Sequence, residues 1–125
     1  MGVQIKWVDE AKTVLEYSFD DPWGWEDYYV AIKIAQQLTE GVSHKITTII
    51  DLSNSKGLPP GAMTHLRRVG RENPNQGMVI LVGMNLFIRT FSNMLMRFYP
   101  KAAEKARLVA TREEAYKLIG AKLGR

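Results

Sequence analysis

After an opening pair of strand patterns, the apolar residues of this chain alternate between helix spacing and strand spacing. The opening strand patterns are Val3 to Val8 and Thr13 to Phe19, and the short turn between them allows only an antiparallel hairpin. The later strand patterns are Ile46 to Leu52, Met78 to Val82 and Ala106 to Ala110. Helix patterns cover Trp25 to Thr39, the segment after Pro60, Leu86 to Tyr99 and the segment after Thr111. Strands separated by helices need crossovers, so the sequence predicts an α/β fold of order β-β-α-β-α-β-α-β-α. Its sheet is mostly parallel with an antiparallel first strand.

Local stop and start signals support these boundaries. Gly41 suits the left-handed residue that ends a helix, and Pro100 cannot continue the helix before it. Thr111 and Glu114 have the spacing of a capping box, which predicts that the last helix begins there.

Length and composition indicate one ordinary globular domain spanning residues 1–125. The 125 residues are 46% hydrophobic and 24% charged, and there are no cysteines. The absence of cysteine excludes disulfides, thiolate metal sites and cysteine nucleophiles. No apolar run approaches the roughly 20 residues that cross a bilayer, and the first residues lack a secretory pattern. We therefore expect a cytoplasmic protein without a membrane span.

Charge is divided unevenly between the two halves of the chain. Residues 1–60 carry five Lys/Arg against nine Asp/Glu, whereas residues 61–125 carry twelve against four. The densest basic group is Arg67, Arg68 and Arg71, and no aromatic side chains alternate with it as a base-stacking surface requires. A solvated helix face explains this group, and we do not expect nucleic acid as a partner.

The strand end Ile49-Ile50-Asp51-Leu52-Ser53 is the most specific motif in the sequence. Within this element order it resembles the STAS family, which includes the bacterial anti-sigma-factor antagonists and the cytoplasmic domains of sulfate transporters. The strand end Val82-Gly83-Met84-Asn85 and the helix start Thr111-Arg112-Glu113-Glu114-Ala115 are similar to the same pattern. The resemblance covers essentially the whole chain and is stronger to the STAS/SEC14-like bacterial branch of unassigned role. It implies a STAS-like β-α superhelix.

One departure from the antagonists concerns their phosphorylated serine. Their loop after Asp-Leu-Ser closes with an Asp-Ser-Ser-Gly-like stretch, and the corresponding positions here are Pro59, Pro60 and Gly61. These residues have no hydroxyl, so we expect no phosphoacceptor. Asp51, Ser53 and Ser55 are retained as a possible loop site.

Catalytic machinery is not predicted. His44 and His65 are the only histidines, and both are interpreted as surface or helix-face residues. A serine hydrolase would need the Gly-x-Ser-x-Gly elbow, and nucleotide binding would need a glycine-rich loop; neither motif is present. No clustered metal ligands occur, so we expect no metal, no cofactor and no catalytic residues.

Two apolar groups exceed what a simple core requires. The aromatic residues from Trp23 to Tyr29 are interpreted as packing the first helix onto the hairpin. In the helix Leu86 to Tyr99, five residues form a core-facing stripe: Phe87, Phe91, Met94, Leu95 and Phe98. Four apolar residues remain outside or at the margins of that stripe, and they predict an interface or an apolar-ligand surface: Leu86, Ile88, Met96 and Tyr99.

These sequence features leave three functions open. The first is a non-enzymatic STAS-like domain that acts through protein contacts, as a homodimer or with another protein partner. The second is a carrier or sensor of a small apolar molecule, held between the helix Leu86 to Tyr99 and the sheet. The third is a hydrolase that uses a loop serine.

Overall fold

The computed structural model describes residues 2–57, 59–61, 64–65, 75–83, 86–98, 100 and 104–122. Its strands are β1 (Gly2–Trp7), β2 (Val14–Asp20), β3 (Ile46–Asn54), β4 (Gln76–Val82) and β5 (Ala106–Val109). Its helices of more than one turn within these ranges are α1 (Trp25–Thr39), α2 (Leu86–Phe98) and α3 (Arg112–Lys122).

The five strands form one sheet in the order β1-β2-β3-β4-β5. β1 pairs antiparallel with β2, and the other three pairings are parallel. The predicted α/β fold with an antiparallel first strand is therefore confirmed.

The sequential strand order decides where the helices lie. Right-handed crossovers that always step in the same direction place their helices on one face of the sheet. Accordingly, Trp25 at the start of α1 and Ile88 of α2 share one core cluster with Leu52 of β3 and Phe19 of β2. Ala35 of α1 packs on the same face, against β2 and β3. We call this the first face.

α3 follows the last strand and packs on the opposite face, which we call the second face. Ala115 and Ile119 of α3 share one core cluster with Val14, Ile49 and Ile80. α3 packs mainly over β4 and β5, and its residues Arg112 and Tyr116 reach across to β2.

The capping signals act largely as the sequence predicts. Gly41 follows α1 with φ +82°, and the Thr111 hydroxyl accepts a hydrogen bond from the Glu114 N–H at 3.2 Å. The Glu114 carboxylate closes the turn onto the N–H of Ala110, one residue before the cap.

Some predicted boundaries differ from the structure. β3 continues two residues past Leu52, to Asn54, because its end still pairs with β2. Within the helix expected after Pro60, the structure describes Thr64 and His65 as helical, and the rest lies outside the described residues.

The prediction that Ile88 lies outside the core is wrong. Its side chain is only 5% exposed and packs in the first-face cluster. The reason is Gly83, at the end of β4: a Cβ there would lie 3.0 Å from Ile88 Cδ1, so the missing side chain leaves room for Ile88. Met96, by contrast, is 62% exposed on α2.

Candidate functional site

Polar side chains are buried on the second face of the sheet, near its β2–β3 centre. Glu16 and Ser18 project from β2 and Asp51 projects from β3, and their exposed fractions are 0%, 9% and 3%. Alternation along each strand puts them on the face that α3 covers. Buried charges and hydroxyls are costly unless they are paired, so their partners define the site.

Arg112, the first residue of α3, supplies most of that pairing. Its Nε donates to Asp51 Oδ2 at 2.5 Å and its Nη2 donates to Ser18 Oγ at 3.1 Å. Its Nη1 lies 3.9 Å from Glu16 Oε2. Thr111 caps the helix immediately before Arg112. The cap therefore fixes the backbone position from which the Arg112 side chain extends.

Tyr116 reaches the same carboxylate from one turn farther along α3. Residues four apart share a helix face, and the Tyr116 hydroxyl donates to Glu16 Oε1 at 2.7 Å. Lys6 on β1 is opposite Glu16 in the strand pairing, and its Nζ lies 3.8 Å from Glu16 Oε2. Four elements therefore converge on two buried carboxylates.

These contacts determine the protonation states of Asp51, Arg112 and Tyr116. Burial alone would raise the pKa of Asp51, but hydrogen bonds from Ser53 and Arg112 outweigh burial and lower it. The Asp51 hydrogen bond raises the already high pKa of Arg112. Burial and the bond to Glu16 raise the pKa of Tyr116 to about 12, so the phenol stays a donor at neutral pH.

An open groove of about 190 Å³ adjoins this cluster on the second face. It lies beside Arg112 and is lined by residues of β1, β2 and the end of β3. Its polar lining includes Lys6, Glu16, Ser18, Asp20, Asn54 and Arg112. We call it the Glu16 groove.

Of the predicted loop residues, Asp51 and Ser53 lie within β3, and Ser55 lies in the loop that follows it. The Ser53 hydroxyl donates to Asp51 Oδ1 at 2.6 Å, so these two lie together. Ser55 is 1% exposed and accepts a hydrogen bond from Trp23 Nε1 at 2.8 Å, within the aromatic region of the first face.

Each histidine is engaged elsewhere. His44 Nε2 lies 2.9 Å from the backbone oxygen of Lys12 and is exposed, as expected. His65 is a helix residue, in agreement with the sequence interpretation. It is half-buried, because its ring stacks on Trp25 at 5.0 Å and its Nδ1 lies 2.5 Å from the Tyr29 hydroxyl.

Comparison of the whole fold with solved structures gives one informative match. An uncharacterised DUF3478-family protein with a SpoIIAA-like fold, from Shewanella loihica PV-4, superposes with a TM-score of 0.68 at 15% sequence identity. The match covers 94% of this chain and 91% of that protein. The chain has a SpoIIAA-like fold. The fold implied by the STAS resemblance is thereby confirmed. No family model and no curated protein sequence matches the chain.

In this SpoIIAA-like fold, two indoles hold the loop that follows β3. Trp23 bonds Ser55, and Trp25 Nε1 donates to the backbone oxygen of Pro60 at 2.7 Å. Gly61 has φ +85°, and a Cβ there would lie 3.2 Å from the ring of His65. Both tryptophans are buried in the first-face core, which confirms the packing role predicted for the aromatic group.

The predicted apolar surface of the helix is only partly described. Met96 is exposed and Ile88 is buried. The side chain of Leu86, and Tyr99 altogether, lie outside the described part of the chain.

Sequence reasoning missed Glu16, Ser18, Arg112 and Tyr116 as site residues. One signal was available in the sequence. Glu16 is a carboxylate between two apolar residues of a predicted strand, and β2 has a neighbouring strand on each side in the sheet. Arg112 was visible only as part of a capping pattern. Its partner Asp51 is 61 residues away in sequence, so only the fold brings them together.

Two absences concern only the described residues. In those ranges, no group of three or more acidic or histidine side chains has a geometry suited to a metal ion. None of the helices there has the length and apolar content of a bilayer-spanning segment.

Proposed function

We propose that this chain is a non-enzymatic STAS-like interaction domain that self-associates through the helices of its first face. The observation that carries the proposal is the fixed loop after β3. Where the resemblance implies a phosphorylation switch in the antagonists, this loop is tied to the core by Trp23 and Trp25. The N–H of Lys56 also donates to Asp21 Oδ2 at 2.8 Å. A loop held in this way offers a constant surface to a partner.

The hydroxyls of Ser53 and Ser55 support a binding role over a hydrolytic one. Ser53 donates to Asp51, and Ser55 lies within bonding distance of Asp21 Oδ1 and the Gly57 oxygen, at 3.5 and 3.3 Å. The contacts of His44 and His65 described above do not bring either imidazole to these serines. A nucleophilic serine needs a base within hydrogen-bond reach.

Self-association is supported by apolar side chains exposed on the first-face helices. Val30 and Ile34 are four residues apart on the outer side of α1, with exposed fractions of 58% and 39%. Met96 is exposed on α2, and methionine adapts readily to an opposing surface. Two-fold pairing is the commonest closed arrangement for such a surface, so we assign a homodimer.

Sedimentation equilibrium of the wild type and Met96→Lys tests this proposal. We expect a dimer for the wild type at high micromolar concentration and a dimer at least about tenfold weaker for Met96→Lys, because burying a lysine charge in an apolar contact is costly. Circular dichroism should be unchanged. Val8→Lys, at another exposed apolar position on the hairpin, is the matched control and should still dimerise.

Ile88→Asp tests the core of the protein and not the self-association surface. Because Ile88 is a core residue, this variant should lose its folded circular dichroism rather than dissociate as a folded monomer. If the wild type is a monomer at high micromolar concentration, the homodimer proposal is wrong. Native mass spectrometry would then test the apolar-carrier alternative, which requires a bound small-molecule adduct.

A further inference from the structure

The outward side of α1 carries an exposed stripe of residues along most of the helix. The buried residues Ala31 and Ala35 lie on the opposite side of α1. Members of the stripe recur at intervals of four, three and four residues, the spacing of a seam that packs against another helix: Glu26, Val30, Lys33 and Gln37. Ile34 borders the stripe next to Lys33 and is also exposed. We call this set of four residues the α1 stripe.

The two charged residues of the α1 stripe lie on opposite sides of Val30. Glu26 is four residues before Val30 and Lys33 is three residues after it, which is about 6.0 and 4.5 Å along the helix axis. Both side chains are exposed, and the ion pairs among the described residues involve other groups. The neighbouring Asp27 differs, because its carboxylate accepts a hydrogen bond from the Gly24 N–H at 2.8 Å. Glu26 and Lys33 can therefore pair with charges on another molecule.

The order of charges in the α1 stripe is complementary to itself when a second copy runs in the opposite direction. An antiparallel copy that sets Val30 against Val30 brings Glu26 of one chain beside Lys33 of the other, with an offset of about 1.5 Å along the axis. Two-fold symmetry forms this pair twice. A parallel copy in the same register would set each charge against its own kind, which is repulsive. The charges therefore favour an antiparallel copy of the same helix.

α2 cannot orient a second copy in this way. Its two charged residues are Arg89 and Arg97, and it contains no carboxylate, so two α2 helices bring only like charges together. A two-fold axis that crosses the first-face helices at right angles sets α1 against α1 and α2 against α2. The exposed Met96 of α2 then stays within the same contact, while α1 supplies the charges that set its direction.

We propose that the α1 helices of two copies pair antiparallel across a two-fold axis beside Val30, with Glu26 of each copy bonded to Lys33 of the other. This inference rests on the self-association proposed above and adds the helix, the direction and the charge pair that define it. α1 has only 15 residues, so the contact along it is small and the dimer is weak and reversible.

Cysteine cross-linking tests the position of the axis. The chain contains no cysteine, so the single thiol of Val30→Cys can form a disulfide only with another copy. Disulfides need Cα atoms about 4.4–6.8 Å apart, which residues beside the axis can satisfy. Under mild oxidation we expect Val30→Cys to form covalent dimers at least about tenfold faster than Lys117→Cys, because pairing raises the effective concentration of the thiols. Lys117 is an exposed position on α3 and serves as the matched control.

Charge reversal tests the ion pair. In sedimentation equilibrium at low ionic strength, Lys33→Glu should weaken the dimer about tenfold, because two attractive pairs become repulsive. The double variant Glu26→Lys/Lys33→Glu restores opposite charges, and its dissociation constant should return to within about threefold of the wild type. Lys117→Glu changes the net charge by the same amount as Lys33→Glu and should dimerise as the wild type does. Circular dichroism should be unchanged in all of these variants.

The outcomes separate this inference from the self-association on which it rests. A wild type that stays monomeric at high micromolar concentration contradicts both. The antiparallel α1 pair alone is wrong if the wild type dimerises but Val30→Cys cross-links no faster than Lys117→Cys. It is also wrong if the double variant remains as weak as Lys33→Glu.

Discussion

Asp51 is a buried carboxylate that its neighbours keep ionised. Ser53 and Arg112 both donate to it, and their combined effect lowers its pKa despite burial. Ile88 shows that one missing side chain elsewhere can have an equally local effect, because Gly83 makes the space that Ile88 fills. At the scale of single residues, contacts between such pairs determine which side chains are ionised and which are buried.

The lowered pKa of Asp51 predicts a specific acid dependence of stability. A carboxyl whose folded pKa lies below its unfolded value, roughly 3.9, stabilises the fold fully above that value and loses this contribution as pH falls through the folded pKa. Asp51→Asn should therefore cost about 1–3 kcal/mol at pH 7, and the difference from wild type should shrink below about pH 4. Urea unfolding across pH 3–7 measures this. A difference that stays constant over the whole range would contradict it, and Glu26→Gln is the exposed control.

At the scale of elements, the entry to α1 and the loop after β3 are held together by the Trp23–Ser55 bond. The indole N–H donates to a hydroxyl that is itself buried, 32 residues away in sequence. Phe19 packs edge-on against the same indole at 4.9 Å, which fixes the ring that carries the donor.

A double-mutant cycle of Trp23→Phe and Ser55→Ala should reveal this connection. We expect each single variant to lose about 1–3 kcal/mol of unfolding free energy, because Ser55→Ala leaves the buried indole N–H without its acceptor and Trp23→Phe removes both the bond and part of the buried indole. The coupling energy should be about 1 kcal/mol. Ser53→Ala changes a nearby hydroxyl, at the end of β3, that does not bond Trp23, and it should show no coupling. Additive effects for Trp23 and Ser55 would mean that the bond does not hold the loop.

The whole molecule is organised by one sheet whose two faces are covered unequally. α1 and α2 cover the first face, whereas α3 packs mainly over β4 and β5 of the second face, beside the Glu16 groove. The interior strands contain Ile49, Ile80 and Leu81, each with no exposed surface. Stability should therefore be greatest at the centre of the sheet.

Native-state hydrogen exchange measures that distribution. We expect the amides of Ile49 to Asp51 and of Val79 to Val82 to exchange most slowly, close to the rate set by global unfolding. Amides of β1, at an edge of the sheet, should exchange faster because that strand has a neighbour on one side only. Equal protection of β1 and β3 would contradict this order.

The order of the described strands and of α1, α2 and α3, the antiparallel first strand, both ends of α1 and the start of α3 could be predicted from the sequence. These features depend on local signals, such as apolar spacing, Gly41 and the Thr111 cap, which neighbouring residues determine among themselves. The Asp-Leu-Ser strand end also indicated the fold that the structural comparison confirms.

Only the tertiary structure decided the contents of the candidate site. Glu16, Asp51 and Arg112 come from three separate segments of the chain. No local sequence pattern indicates that the helix after the last strand brings Arg112 back to Glu16 on β2 and Asp51 on β3. Burial of Ile88 likewise depends on the end of another element, at Gly83. Spacing along a helix determines which residues share a side, but the elements packed against that helix determine which sides are buried.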